Sequence, residues 1–135
     1  MTTFTFIPKS VRFFTNLHLE RTIKNLQHIY RKDAIVYGFM CNITHMVYVG
    51  STLIPGRRFH NHLVTGESSN LALQQAITQH GLNNFIAYVF EIVVFPTGLT
   101  LDEKKAFLKI VEQKHMDKFP KAQLYNNYNS SAPKK

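Results

Sequence analysis

Ala34-Ile35-Val36-Tyr37-Gly38-Phe39-Met40-Cys41, then Asn42-Ile43-Thr44-His45, then Met46-Val47-Tyr48-Val49-Gly50 is the stretch on which the fold turns. Its outer parts are rich in β-branched and aromatic residues, and its middle carries turn chemistry. The pattern predicts a β-hairpin with strands at 34–41 and 46–50, the second ended by Gly50. With the turn centred between Asn42 and Ile43, Tyr37 faces Tyr48 across the hairpin and both side chains lie on one face. A slip of one residue would send them to opposite faces.

Working outward, Leu19, Ile23, Leu26 and Tyr30 recur at helical spacing, with Glu20, Arg21, Lys24 and Arg31 on the other side. They predict an amphipathic helix over 17–31. Beyond the hairpin, Pro55 suits a first helical position and opens a helix over about 55–64. Ser69 is a candidate cap for the next helix, with Leu73, Ala76, Ile77 and His80 as its inner stripe and Gly81 as its stop. Phe85 to Val94 has the length and composition of a strand. Thr100 and Glu103 are spaced as a capping box for a long helix that runs to about Asp117 and closes at Phe119-Pro120. The expected fold is α/β (α+β): a small three-stranded antiparallel sheet flanked by helices, with an extra N-terminal basic helix. The expected organisation is a basic arm and helix at 1–32, one domain at 33–128, and a basic tail at 129–135.

The 135 residues suffice for one domain with a real core. A 44% hydrophobic and 18% charged composition is that of a globular chain. Net charge is +8, and it is unevenly spread. Residues 1–32 hold six basic groups against Glu20, residues 101–135 hold eight against four, and 67–100 contain neither Lys nor Arg. This surplus points to a polyanionic partner, nucleic acid foremost, with Arg21, Lys24, Arg31, Lys32 and Arg57 as candidate contacts. A solubility surplus or a membrane-surface preference is the ordinary alternative, and the basic face of the N-terminal helix reads equally as solvated. Cys41 is the single cysteine, so a thiolate zinc cage and intrachain disulfides are excluded and a reducing, intracellular compartment is expected. No apolar run reaches the roughly 18 residues of a membrane span. The first 18 residues lack acidic groups and mix Lys9 and Arg12 with Phe4, Phe6, Phe13 and Phe14. They read equally as a mitochondrial targeting segment or as an ordered basic arm.

Glu112 is the most telling single position. It falls four residues after Leu108 and four before Met116, on the face of the last helix expected to be buried. A carboxylate there must be hydrogen-bonded, paired or bound to a cation. Arg58 and His62, four apart, share a face of the helix after the hairpin. Arginine presents a charged fork to phosphate oxygens, although an ordinary surface role fits the residue alone. His62 suits proton relay, phosphate binding or a structural role. Tyr37 and Tyr48 are sheet aromatics unless they face Arg58, in which case they could orient or deprotonate a water. Asn126 either ties elements together or merely turns the chain. A phosphodiester is hydrolysed when its charge is neutralised, a water is activated and a metal is held by a carboxylate. Tyr37, Tyr48, Arg58, His62, Glu112 and Asn126 can supply those parts. One protein carboxylate with waters suits Mg²⁺ as the cofactor, with Glu112 as its ligand.

Taken together, these residues resemble the GIY-YIG nuclease superfamily, especially the catalytic domains of intron-encoded homing endonucleases. The resemblance spans roughly 34–128. Its first motif falls on Ile35-Val36-Tyr37 and its second on Tyr48-Val49-Gly50. The family arginine falls on Arg58, the histidine on His62, the metal-binding glutamate on Glu112 and the late asparagine on Asn126. Leu73 to Phe85 resembles the middle segment. The resemblance implies a single-metal hydrolytic site in which one of the two tyrosines helps deprotonate water, Arg58 neutralises the phosphate and Glu112 holds Mg²⁺. Three features depart from the family. Ile35 replaces the usual glycine, Ser68 stands where related enzymes can carry a histidine, and the sequence ends soon after Asn126 where relatives append DNA-recognition modules. The expected activity is that of a DNA endonuclease with little sequence selectivity. The alternative is a nuclease fold recruited as a structural ribonucleoprotein subunit, for example in a mitochondrial ribosome, contacting rRNA through its basic ends.

Overall fold

The structure is a computed structural model and describes residues 10–128. The tail at 129–135 and the first nine residues, with Phe4, Phe6 and Lys9 of the arm, lie outside the described residues.

Chain order is β1 (Arg12–Phe14), α1 (Glu20–Ile29), β2 (Ala34–Cys41), β3 (Val47–Thr52), α2 (Pro55–His60), α3 (Leu71–His80), β4 (Phe85–Val93) and α4 (Leu101–Met116). A wider π-helical turn, Asn61–Thr65, continues α2. The sheet order is β1-β4-β2-β3, with every neighbouring pair antiparallel. The fold is therefore α+β with four strands, where three were expected. The addition is β1, which extends the sheet along the open side of β4 through Arg12–Val89 to Phe14–Ala87 pairing. Its three residues fall short of a recognisable alternating pattern.

The two faces of the sheet carry separate cores. On one side Ile35, Tyr37 and Phe39 pack with Leu26 of α1, Phe59 of α2 and Leu73 of α3. On the other, Val36, Met40, Val47 and Val49 pack with Leu108 and Val111 of α4. β2, lined on both sides, is buried along its whole length. Leu17, Leu26 and Tyr30, from the N-terminal segment, belong to the first core.

The hairpin forms, but its register differs from expectation by two residues. Tyr37 pairs with Gly50, and Tyr48 pairs with Phe39. A two-residue shift preserves the pleat, so Tyr37 and Tyr48 still share a face, with ring centroids 6.4 Å apart. Gly50 accounts for this register. A Cβ there would lie 2.6 Å from the Tyr37 hydroxyl oxygen and 2.7 Å from Cζ, so the tyrosine occupies the space a side chain would need.

Two caps settle helix starts. Thr100 and Glu103 form the expected capping box, Thr100 Oγ1 accepting from the Glu103 amide at 3.2 Å and Glu103 Oε1 from the Thr100 amide at 2.9 Å. α3 is capped by Asn70, not by Ser69: Asn70 Oδ1 accepts from the Leu73 amide at 2.8 Å. The Ser69 hydroxyl is used elsewhere. No helix among the described residues is long and apolar enough to cross a membrane.

Candidate active site

β3 is an edge strand, and the candidate residues gather around that edge from both faces of the sheet. Alternation sends Tyr48 and Gly50 to the side of α1, α2 and α3, and Ser51 to the side of α4. Asn126 closes the first half of the edge. Its Oδ1 accepts from the Val49 amide at 2.9 Å and its Nδ2 donates to the Val49 carbonyl at 2.7 Å. With the Val47–Leu124 bridge, these bonds satisfy the strand backbone as a partner strand would. Asn126 therefore fixes the C-terminal segment against the hairpin.

His62 is almost wholly buried, ringed by Tyr37, Phe39 and Tyr48 at centroid distances of 5.6, 5.3 and 5.1 Å. Its Nε2 is hydrogen-bonded to the Tyr37 hydroxyl at 2.7 Å and its Nδ1 to the Ser69 hydroxyl at 2.7 Å. Gln74 Nε2 donates to both Ser69 Oγ and the His62 carbonyl, each at 2.8 Å. Burial, reinforced by the nearby Arg58 charge, lowers the His62 pKa to about 3. The imidazole is thus neutral near pH 7.

Arg58 lies on α2, near enough to both tyrosyl hydroxyls for its charge to act on them. Its Nη1 donates to the Ser68 carbonyl at 3.0 Å. Ser68 holds φ of 56°, a left-handed conformation that is uncommon for serine and aims that carbonyl at the guanidinium. Burial works against the Arg58 charge, but the Tyr37 and Tyr48 hydroxyls outweigh it and raise the pKa. Burial, followed by Tyr48, drives the Tyr37 hydroxyl well above the phenolic range. Arg58 opposes that rise, and the Glu112 carboxylate adds to it.

Glu112 approaches from α4. Its side chain is 14% exposed. Oε1 accepts from Ser51 Oγ at 2.6 Å and from Lys109 Nζ at 3.4 Å. Oε2 is hydrogen-bonded by no described residue and reaches solvent. Among the described residues no group of three or more His, Cys, Asp or Glu converges, which does not fit a zinc-type cage. One carboxylate oxygen open to water fits Mg²⁺, which keeps most of its hydration shell.

The structure thus brings Tyr37, Tyr48, Arg58 and His62 together, with Glu112 near enough to act on Tyr37 and Asn126 set behind the strand. The basic candidates lie apart from this cluster. Arg21, Lys24, Arg31 and Lys32 are exposed on or just after α1, where Lys24 pairs with Glu20 at 3.0 Å and Arg31 contacts His28 at 3.0 Å. α1 leans on α2 through Gln27 Nε2 donating to the Gly56 carbonyl at 3.3 Å. Arg57 is exposed on α2 beside a cavity of about 300 Å³. Sequence reasoning missed Ser51, Gln74 and Lys109 and gave Ser69 a capping role in place of its bond to His62; all four hold charged or titratable groups in place. Ser51 directly follows the Tyr48-Val49-Gly50 motif, and strand alternation points it at α4. That was its one available signal.

Over 119 residues, 88% of its length, the chain is 28% identical to "Probable intron-encoded endonuclease 1" of Neurospora crassa. The match takes in 38% of that protein, so the chain spans well under half of the curated relative it matches. No family model matches the chain, and no solved structure gives a significant match.

Proposed function

We propose that this chain carries the catalytic domain of an endonuclease of GIY-YIG type that hydrolyses nucleic-acid phosphodiesters, DNA foremost, with Mg²⁺ as cofactor. The observation that carries this reading is the cluster of Tyr37, Tyr48 and His62, with the Tyr37 hydroxyl 2.7 Å from His62 Nε2 and the two tyrosine rings 6.4 Å apart. To this cluster Arg58 adds a charge that acts on both hydroxyls, and Glu112 one that acts on Tyr37. The similarity to a protein named as an intron-encoded endonuclease supports it, as does the net charge of +8.

In this reading Arg58 binds the scissile phosphate and offsets the charge that builds on it. The two tyrosyl hydroxyls orient the attacking water. Tyr37 keeps its proton at rest, because burial and Tyr48 raise its pKa. Neutral His62 fixes the Tyr37 hydroxyl from behind, and Ser69 and Gln74 fix His62. Glu112 would hold the metal through Oε2, with Ser51 orienting the carboxylate. When bound there, Mg²⁺ supplies positive charge beside the phosphate and cancels the push that Glu112 exerts on Tyr37. Asn126 acts at one remove by anchoring β3.

The test is conversion of supercoiled plasmid DNA by the purified chain in Mg²⁺. The wild type should nick it, chelation should stop it, and Glu112→Gln should lower the rate by at least about a hundredfold. A wild type inert with every divalent ion tried, or a fully active Glu112→Gln, ends the proposal.

A further inference from the structure

The cavity beside the candidate site has a composition that phosphate binding alone does not call for. It lies between the end of β3, the start of α2 and the outer part of α4, and it shares Ser51 and Arg58 with the catalytic cluster. Arg57, Lys105 and Lys109, all exposed, line it. Leu53, Ile54 and Leu108 line it too, and its walls are mostly hydrocarbon. A groove that tracks only the backbone of a duplex needs charge at its surface and gains nothing from an apolar recess. A recess with hydrocarbon walls and cations suits a planar ring attached to a phosphate. At about 300 Å³ it is at the small end of ligand cavities, room for one nucleotide and not for a stacked base pair.

We infer that this cavity is a subsite for a single unstacked nucleotide next to the scissile phosphate, its base against Leu53, Ile54 and Leu108 and its flanking phosphate at Arg57, Lys105 and Lys109. The inference rests on the nuclease reading and sharpens its substrate class. The preferred nucleic acid has an unpaired nucleotide beside the cut, because a base in an intact duplex must first be unstacked and unpaired, whereas one at a mismatch or in a single strand is already free to enter. Arg58, common to both sites, sets the reacting phosphate next to the held nucleotide.

Two measurements test it, one independent of catalysis. In metal-free buffer, deoxyadenosine 5′-monophosphate should shift the methyl resonances of Leu53, Ile54 and Leu108 and half-saturate at roughly tenfold lower concentration than inorganic phosphate. Ile54→Ser should remove that margin and keep the response to phosphate. Ile54 is 54% exposed and occupies the N-cap position of α2, where serine is favoured, so the fold tolerates the change. Equal affinity for nucleotide and phosphate, or unmoved methyls, overturns the subsite. In Mg²⁺, a duplex with a central mismatched bubble should be cut roughly tenfold faster than its fully paired counterpart, and Ile54→Ser should level the two. Equal cutting by the wild type keeps the nuclease and removes the subsite. Nucleotide binding at these methyls without cleavage of either duplex keeps the subsite and removes the hydrolase.

Discussion

The Tyr37 hydroxyl lies 2.7 Å from Nε2 of His62, and this contact joins the central strand to the turn that follows α2. Both groups are buried, and each satisfies a polar atom that the other would leave unpaired. Ser69 and Gln74 extend the chain outward to the loop that also aims the Ser68 carbonyl at Arg58. One hydrogen-bonded run therefore positions a tyrosine, a histidine and an arginine at once.

The depressed His62 pKa makes stability depend on pH. Between about 3 and 6.5 the unfolded chain binds a proton at His62 that the folded chain refuses. The contribution is complete above 6.5 and is lost progressively as pH falls toward 3. Between pH 7.5 and 5 the loss from this group should be about 2 kcal/mol. Urea unfolding at pH 7.5 and pH 5 should show a smaller drop for His62→Gln than for wild type. Parallel drops would exclude His62 as the source.

Arg58→Ala should lower plasmid cleavage about a hundredfold or more and leave the thermal midpoint within a few degrees of wild type. The side chain is partly exposed and its fixed partner is a backbone carbonyl, so little stability rests on it. A variant that fails to fold would make Arg58 an architectural residue.

Gly50→Ala and Gly56→Ala should part company. The first sets a methyl 2.6 Å from the Tyr37 hydroxyl and should cost about 1–3 kcal/mol through overpacking, with a loss of cleavage as Tyr37 is displaced. The second meets only the Gln27 carbonyl at 3.4 Å, within α2, where alanine is the better helix former. It should be neutral or slightly stabilising in chemical denaturation. Equal tolerance of both would contradict the packing of Tyr37 over Gly50.

Asn126→Asp should not rescue Asn126→Ala. Alanine removes both bonds to Val49, a loss of about 1–3 kcal/mol. Aspartate keeps the acceptor for the amide but turns the donor to the Val49 carbonyl into a second acceptor, so two oxygens oppose each other. Denaturation midpoints for both should fall below wild type. An Asp variant as stable as wild type would show that the Val49 carbonyl does not need the amide.

Much was readable in the order of residues because the signals are local. Runs of β-branched and aromatic residues either side of turn chemistry marked β2 and β3, Thr100 and Glu103 marked the start of α4, and Pro55 marked that of α2. Each is decided by a residue and its neighbours within one turn or one pleat. The six site candidates were singled out by their order and spacing as a motif series, and of these Tyr37, Tyr48 and His62 do lie together. What tertiary structure alone decided is which groups meet. The hairpin register follows from the Tyr37 ring lying on Gly50. β1 joins the sheet because β4 leaves a side open to pairing. Ser69 gave up the helix cap to Asn70 because buried His62 needed its hydroxyl. Asn126 went to the Val49 backbone, 77 residues away, because an edge strand must satisfy its polar groups somewhere. Contacts at such separations depend on how whole elements pack, and no window of sequence holds that information.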